Sequence, residues 1–262
     1  MQLVALNQHL RLLHLLVSFG LLFVAGFASA ALPDLIEKVK PSIVVVGTYA
    51  RTRSPAFMMR GTGFVVGNGT LVATNAHVVP DKLDSDKGEI LMIIVPSGRH
   101  GPQQYAAKLA VSDASHDLAL LRIEGAHLPA MALQSGEHVR EGQSVAFTGF
   151  PIGSVLGLSP VTHRGIISAI TQIAIPVATA SQLNAKVIKR LKSGSFEVYQ
   201  LDGTVYPGNS GGPLFEVEKG EVIGIINMVF VKGTKESALT HPSGISFAVP
   251  VQHLQELLND VR

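Results

Sequence analysis

Residues 207–214 read Pro-Gly-Asn-Ser-Gly-Gly-Pro-Leu, a stretch that places one serine among three glycines. Glycine adopts backbone angles that other residues avoid, so the chain can fold tightly around Ser210 and expose its hydroxyl. Such a turn also directs the backbone amides of Gly208 and Ser210 toward one point, as in an oxyanion hole. The stretch therefore predicts a nucleophilic serine and a hole formed by the amides of Gly208 and Ser210.

A nucleophilic serine needs a base and an orienting carboxylate, because its hydroxyl is a weak nucleophile near neutral pH. His77 lies in residues 74–79, directly after an apolar run, and is the candidate base. Asp117 precedes the mostly apolar run 118–123, where a carboxylate can be buried and still meet an imidazole N–H. Asp117 is therefore the candidate orienter, and Asp113 is the less favoured alternative.

Short runs rich in Val, Ile and Phe recur along most of the chain, as in proteins built from β-strands. Nine runs are predicted as strands: residues 43–47, 63–66, 90–95, 118–123, 144–148, 165–170, 198–201, 222–227 and 245–249. The 14 prolines and 26 glycines sit mostly between these runs, where turns need them. Many short strands and few long helices indicate an all-β barrel or sandwich.

Three helices are expected besides the strands. Residues 33–40 and 250–261 each carry apolar side chains on one face, which predicts a short helix at either end of the β region. Residues 181–192 combine apolar positions four residues apart with four basic side chains, as a basic amphipathic helix does. This third helix is either a solvated excursion in a long loop or a surface that contacts a membrane or a protein.

The first thirty residues have the pattern of a secretory signal peptide. Arg11 precedes an apolar stretch from Leu15 to Phe27, and residues 28–30 read Ala-Ser-Ala, a small-residue cleavage site. The alternative is an uncleaved membrane anchor, because the span from Leu12 to Leu32 is long enough to cross a bilayer. Either way we expect the rest of the chain outside the cytoplasm: periplasmic or secreted, or anchored and facing the periplasm.

Composition excludes several classes of protein. A chain of 262 residues that is 47% hydrophobic and 15% charged can bury a sizeable core, so it is not intrinsically disordered. Twenty-one basic residues against 19 acidic ones, without a dense basic run among aromatics, argue against a nucleic-acid partner. The sequence has no cysteine, which excludes disulfides, thiol catalysis and cysteine-ligated metals.

The segments that contain His77, Asp117 and Ser210 occur in this order along the chain. In this order they resemble the corresponding segments of the chymotrypsin-fold serine proteases. More narrowly, the chain resembles the HtrA/Deg family over nearly all of residues 33–252. Besides the segments around His77, Asp117 and Ser210, the resemblance rests on residues 33–46, 61–64 (Gly-Thr-Gly-Phe), 149–151 (Gly-Phe-Pro), Asp202, Asn209 and 244–250. It implies two six-stranded antiparallel β-barrels with the catalytic residues in the cleft between them.

The resemblance also implies boundaries and roles. Residues 31–262 would be the protease domain, with a first barrel at about 41–135, a second at about 136–249 and the C-terminal helix at 250–261. Ser210 would attack the scissile carbonyl, His77 would accept its proton, and Asp117 would orient His77, without a metal or cofactor. Unfolded or damaged proteins are the implied substrates. A homotrimer through the N-terminal region is also implied, although residues 33–40 do not by themselves show such a contact.

The resemblance places the primary substrate pocket just before the nucleophile and in the strand after it. The pocket residues are then Thr204, Val205, Ile226, Asn227 and Met228. None is acidic, so a buried Lys or Arg would lack compensation, and small or medium aliphatic P1 residues are favoured. Asn209 stands where digestive relatives carry an Asp that pairs with a newly cut N-terminus. An amide cannot form that pair. We therefore expect activity to be controlled by the ordering of loops rather than by cleavage of a propeptide.

Two other functions can be weighed against proteolysis. A chaperone or envelope binding module with a resting or vestigial protease site is the alternative, although no expected catalytic residue is lost. An α/β-hydrolase esterase is disfavoured, because its acid and histidine follow the serine, whereas here both precede it. Most HtrA/Deg members carry PDZ domains after the protease, and this chain ends about a dozen residues past Pro250. We therefore expect the insert 171–195 to replace PDZ-dependent control.

Overall fold

The computed structural model describes residues 32–96, 101–136, 138–153, 157–172, 196–227 and 244–261. The predicted signal peptide 1–30, the predicted basic helix 181–192 and the pocket residue Met228 lie outside the described residues. Within the described ranges, no helix combines the length and the apolar character needed to cross a membrane.

Two closed antiparallel barrels of six strands follow one another along the chain. The first is built from β1 (Ile43–Tyr49), β2 (Phe57–Val66), β3 (Leu71–Asn75), β4 (Ile90–Val95), β5 (Gln103–Asp113) and β6 (Leu118–Ile123). The second is built from β7 (Ser144–Gly149), β8 (Val161–Gln172), β9 (Glu197–Asp202), β10 (Pro213–Glu216), β11 (Val222–Asn227) and β12 (Ile245–Pro250). Helix α1 (Leu32–Val39) precedes the first barrel and helix α2 (Val251–Asn259) follows the second. The predicted two-barrel, all-β fold is confirmed.

Three apolar cores follow from the alternation of side chains along the strands. In β1, Val44 and Val46 point into the first barrel, whereas Ile43 and Val45 join a core that is shared by both barrels and both helices. A third core fills the second barrel. Because successive side chains of a strand face opposite sides, a strand between two cores must be apolar at every position. This explains why the first four residues of β1 are all Ile or Val.

Three of the twelve strands lie outside the nine predicted runs: β3 is the apolar run just before His77, and β5 and β10 gave weaker signals. Strand β5 is mostly exposed and carries Gln, Lys and Ser, so its composition gives a weak strand signal. It forms because β4 and β6 each offer it an edge, with Leu91 opposite Ala107 and Leu118 opposite Asp113. Strand β10 is only four residues long and begins at a proline. In both cases the hydrogen-bonding partners decide the conformation, rather than the local pattern.

Helix α2 closes the shared core at the end of the chain. Its buried side chains are Val251, Leu254 and Leu257, which share one face of the helix. Pro250, predicted as the first residue of this helix, is instead the last residue of β12. Helix α1 contributes Leu35 and Val39 to the same core. The two helices therefore stabilise the contact between the barrels from outside the sheets.

Truncation of Leu254 tests how much α2 contributes to stability. Leu254 is fully buried in the shared core, so Leu254→Ala should lower the free energy of unfolding by about 2–5 kcal/mol. Urea unfolding should show a lower midpoint with an unchanged slope. The control Asn259→Ala, at an exposed position of the same helix, should stay within about 0.5 kcal/mol of wild type. Equal losses in the two variants would contradict a packing role for Leu254.

Candidate active site

His77 and Asp117 are joined by two hydrogen bonds. The ring Nδ1 of His77 lies 2.6 Å from Oδ2 of Asp117, and the backbone N–H of His77 donates to Oδ1 at 2.9 Å. An ionised carboxylate only accepts hydrogen bonds, so Nδ1 carries the ring proton. The other ring nitrogen, Nε2, is then left as an acceptor. His77 is thus held in the tautomer that a general base requires.

The backbone of the first barrel brings these two residues together. Asn75 ends β3, and a single 3-10 turn at Ala76–Val78 carries His77 out of the sheet. Asp117 has a positive φ of 56°, an unusual conformation for a residue with a side chain. Its carbonyl is fixed by the backbone N–H of Ala76 at 3.0 Å and by the side-chain amide of Asn75 at 3.1 Å. These bonds hold the strained turn in place.

The second barrel also contacts the Asp117 carboxylate. The side-chain amide of Asn227, at the end of β11, donates to Oδ2 of Asp117 at 2.8 Å. The sequence predicts Asn227 as a pocket residue and does not predict this contact. A signal was available, since Asn227 follows five apolar or small residues in a buried strand, and a buried amide needs a hydrogen-bond partner.

The loop that carries Ser210 packs directly on β2. The backbone N–H of Thr62 donates to the carbonyl of Ser210 at 2.9 Å, and the Thr62 hydroxyl donates to the carbonyl of Gly208 at 2.6 Å. Gly211 has a φ of 85°, and a Cβ there would lie 2.2 Å from the carbonyl oxygen of Thr62. Only glycine therefore fits at position 211.

The two barrels bring Ser210 close to the His77 turn. A Cβ on Gly61 would lie 2.7 Å from Val78 Cγ2 and 2.9 Å from the carbonyl oxygen of Ser210, so Gly61 is wedged between the two segments. Within the described part of the chain, no hydrogen bond joins the Ser210 hydroxyl to the His77 ring. Such catalytic bonds are often long or misaligned before substrate binds.

The loop 208–212 leaves two of its amides available. The N–H groups of Asn209, Gly211 and Gly212 donate to the carbonyls of Tyr206, Ile226 and Asn209, respectively. The N–H groups of Gly208 and Ser210 donate to no residue that the structure describes. These are the two amides that the sequence predicts for an oxyanion hole. The loop is thus suited to stabilise a negatively charged oxygen.

The predicted pocket residues have different surroundings. Val205 and Ile226 belong to the apolar core of the second barrel, and Thr204 is partly exposed. The backbone N–H of Val205 donates to the hydroxyl of Ser246 at 3.0 Å. The role of these residues as pocket lining stays a prediction.

Among the described residues no cluster of three or more His, Asp or Glu side chains could hold a metal ion.

Asn209, in the loop that carries Ser210, is completely buried. Neither atom of its side-chain amide has a hydrogen-bond partner among the described residues. The Oδ1 atom would lie 2.7 Å from a Cβ on Gly149, so the space around it is tight. An aspartate here would place an uncompensated charge in the interior, which costs far more than a neutral amide.

A family model described as "Trypsin-like peptidase domain" matches residues 61–225, more than half of the chain. The chain belongs to the trypsin-like peptidase family. This trypsin-like peptidase is 32% identical over 230 residues to "Serine protease HTRA2, mitochondrial" from Bos taurus, covering 86% of this chain and 42% of that protein. It is 30% identical over 202 residues to "Probable periplasmic serine endoprotease DegP-like" from Halomonas elongata, covering 77% and 35%.

These relatives confirm the resemblance to HtrA-like, trypsin-fold serine proteases. "Serine protease HTRA4" from Homo sapiens is a third relative, 29% identical over 228 residues, with 86% of this chain and 40% of that protein covered. The chain spans less than half the length of each of these three relatives.

A second cluster of titratable groups lies next to Asp117 in the trypsin-like peptidase. His116 pairs through Nδ1 with the carboxylate of Asp113, and its ring stacks on that of His253 in α2 at 3.7 Å between centroids. Glu256 lies 3.5 Å from Nδ1 of His253, and Phe196 meets both rings edge-on. Burial, and then the charge of His116, lower the pKa of His253.

The role of the loop 208–212 can be tested by adding one methyl group at Gly208. Gly208 has a φ of 103°, and a Cβ there would lie 2.2 Å from the carbonyl oxygen of Phe150. Gly208→Ala should therefore displace its amide and slow fluorophosphonate labelling of Ser210 by about 10²-fold or more. Gly203→Ala is the matched control, because its Cβ would make only an ordinary contact, 3.7 Å from Phe147. Normal labelling of a folded Gly208→Ala variant would exclude this amide from the hole.

The stacked histidines predict a pH dependence of stability. Because the pKa of His253 is lower in the folded state than in the unfolded state, the unfolded chain binds more protons below about pH 6.5. The free energy of unfolding should therefore fall as the pH drops from about 7.5 to about 5.5. His253→Phe keeps a stacking ring but takes no proton, so it should lose less stability over this interval. Urea unfolding at both pH values measures the difference.

A matched control separates this effect from general acid destabilisation. His127 is exposed, so His127→Gln should keep the pH dependence of the wild type. If the free energy of unfolding of His253→Phe falls with pH as it does in the wild type, protonation of His253 is not the cause of the loss of stability at low pH.

Proposed function

We propose that the chain is a serine endopeptidase that hydrolyses peptide bonds through an acyl-enzyme. Ser210 is the nucleophile, His77 the general base and acid, and Asp117 the residue that orients His77. The observation that carries the proposal is the His77–Asp117 pair, which lies beside a serine loop with two available amides. The family membership supports the same chemistry.

The reaction proceeds in two halves. The Ser210 oxygen attacks the carbonyl carbon of the scissile bond, and its proton passes to Nε2 of His77. The C–N bond then breaks, and His77 returns that proton to the leaving amine. In the second half, His77 takes a proton from water, the hydroxide attacks the acyl carbon, and the Ser210 oxygen leaves with the proton from His77. The enzyme is regenerated without any net change.

Two features of the site lower the barrier. The amides of Gly208 and Ser210 donate to the oxyanion of the tetrahedral intermediate. In comparable sites each such donor lowers the activation free energy by about 3 kcal/mol. The Asp117 carboxylate stabilises the imidazolium that forms on His77. Asn227 keeps Oδ2 of Asp117 directed at the ring, since it donates to the same oxygen.

The substrate preference follows from the chemistry of the pocket. Thr204, Val205, Ile226 and Met228 carry no charge, and the Asn227 amide is engaged by Asp117. Small or medium aliphatic P1 side chains are therefore favoured over Lys and Arg. Names such as "periplasmic serine endoprotease" among the relatives support a role in the cell envelope, with unfolded or damaged proteins as substrates.

The organisation of the chain completes this proposal. Residues 1–30 act as a signal peptide, or alternatively as an anchor that leaves the protease facing the periplasm. Residues 31–262 form the protease domain, which assembles as a homotrimer in the manner of the family. The basic segment 181–192 contacts a protein or a membrane and regulates the site.

A second candidate is a binding module whose protease site rests until a partner orders it. The observation in its favour is that no hydrogen bond joins Ser210 to His77 within the described residues. In that case substrate-like peptides bind to the cleft, but Ser210 stays unreactive. The same experiment separates the two functions.

Labelling of the purified protein with a fluorophosphonate probe tests the proposal. The wild type should be labelled, because the probe reports an activated serine, and Ser210→Ala should abolish labelling and reduce casein hydrolysis by roughly 10⁴-fold or more. The control Ser112→Ala removes an exposed hydroxyl of β5 and should be labelled like the wild type. A folded wild type that is neither labelled nor active would favour the binding module.

A further inference from the structure

Arg60 is the extra residue of a β-bulge in β2. Across the β1–β2 pair, Val46 lies opposite Gly61 and Gly47 lies opposite Met59, so Arg60 has no partner on β1. A bulge bends its strand and changes the direction of the side chain at that point. The position is immediately before the Gly61 wedge between the His77 turn and the Ser210 loop. The bulge therefore sets a cationic side chain apart from the regular sheet, beside the catalytic residues.

The guanidinium of Arg60 is fixed at one edge and open at the other. Its Nε–H donates to the carbonyl of Val78, the residue after His77, at 2.6 Å. Neither of its two Nη groups donates to a residue in the described part of the chain, and no described carboxylate forms an ion pair with it. The side chain is exposed to solvent. The Nε anchor orders the planar group, so its Nη donors are available to an external ligand.

The hydrogen bond to Val78 also determines which half of a bound substrate lies next to the Arg60 guanidinium. His77 returns its proton to the leaving amine, so the leaving segment begins beside the His77 turn. Val78 belongs to that turn and holds Arg60. The acyl half instead lies toward the second barrel, which carries the nucleophile loop. Arg60 thus lies on the leaving-group side of the cleft.

From this placement we propose that Arg60 forms a subsite for an acidic side chain among the first residues after the scissile bond. The inference rests on the proposed protease function and adds a preference on the leaving-group side. A carboxylate matches the Nη donors in charge and geometry, whereas a Lys or Arg side chain would be repelled. Because Arg60 is exposed, we expect an effect of about three- to tenfold in kcat/KM, weakened by added salt.

Matched peptide substrates test the subsite. Internally quenched peptides should differ only by Glu or Gln at each of the first three positions after the cleaved bond. The wild type should cleave the Glu peptide about three- to tenfold better at one position. Arg60→Gln should bring this ratio to about one, Arg60→Glu should invert it, and Arg60→Lys, which keeps the charge but loses the Val78 anchor, should give an intermediate ratio. The ratio is internal to each variant, so a loss of total activity does not affect it.

Controls distinguish failure of the subsite from failure of the proposed function. Arg122→Gln removes an exposed cation from β6 and should keep the wild-type ratio. If the wild type is labelled by a fluorophosphonate but cleaves the Glu and Gln peptides equally at all three positions, the subsite is overturned alone. The same holds if Arg60→Gln keeps the wild-type ratio. A wild type that is neither labelled nor active overturns the protease proposal and the subsite with it.

Discussion

The carboxylate of Asp117 is the point at which the two barrels and the candidate chemistry meet. It accepts two hydrogen bonds from His77 in the first barrel and one from Asn227 in the second. Three donors on one buried carboxylate fix its position and leave little freedom to the imidazole. A shift of one barrel against the other changes the Asn227 contact at once. The orientation of the His77 ring therefore depends on the docking of whole barrels, and not only on local turns.

The serine loop is held by close backbone packing rather than by side chains. Thr62 donates to two carbonyls of this loop, and Gly211 leaves no room for a Cβ against β2. Such contacts tolerate very little displacement, because interiors are packed as densely as crystals. The first barrel thus shapes a loop that belongs to the second. This reciprocal support explains why the glycines around Ser210 are as informative as the serine itself.

Sequence patterns predicted the two-barrel fold and singled out three candidate site residues, because both leave local signals. The runs of Val and Ile reveal strands, and His77, Asp117 and Ser210 each lie in a distinctive segment. The buried amide of Asn227 signals that it needs a hydrogen-bond partner, but that partner, Asp117, is 110 residues away and no local pattern identifies it. The bulge at Arg60 was equally hidden, since it arises from the register between β1 and β2. What the sequence could not show is therefore the set of contacts that exist only after the strands pair.

The order of the barrels along the chain has a consequence for the growing polypeptide. The first barrel ends at Ile123, whereas Ser210, Asn227 and the last strand of the second barrel come later. Domains generally fold in the order of their synthesis, so we expect the hydrogen bonds between His77 and Asp117 to form before Ser210 leaves the ribosome. A chain interrupted between β6 and β9 contains His77 and Asp117 but neither Ser210 nor Asn227. The candidate site is thus incomplete until most of the second barrel has been made.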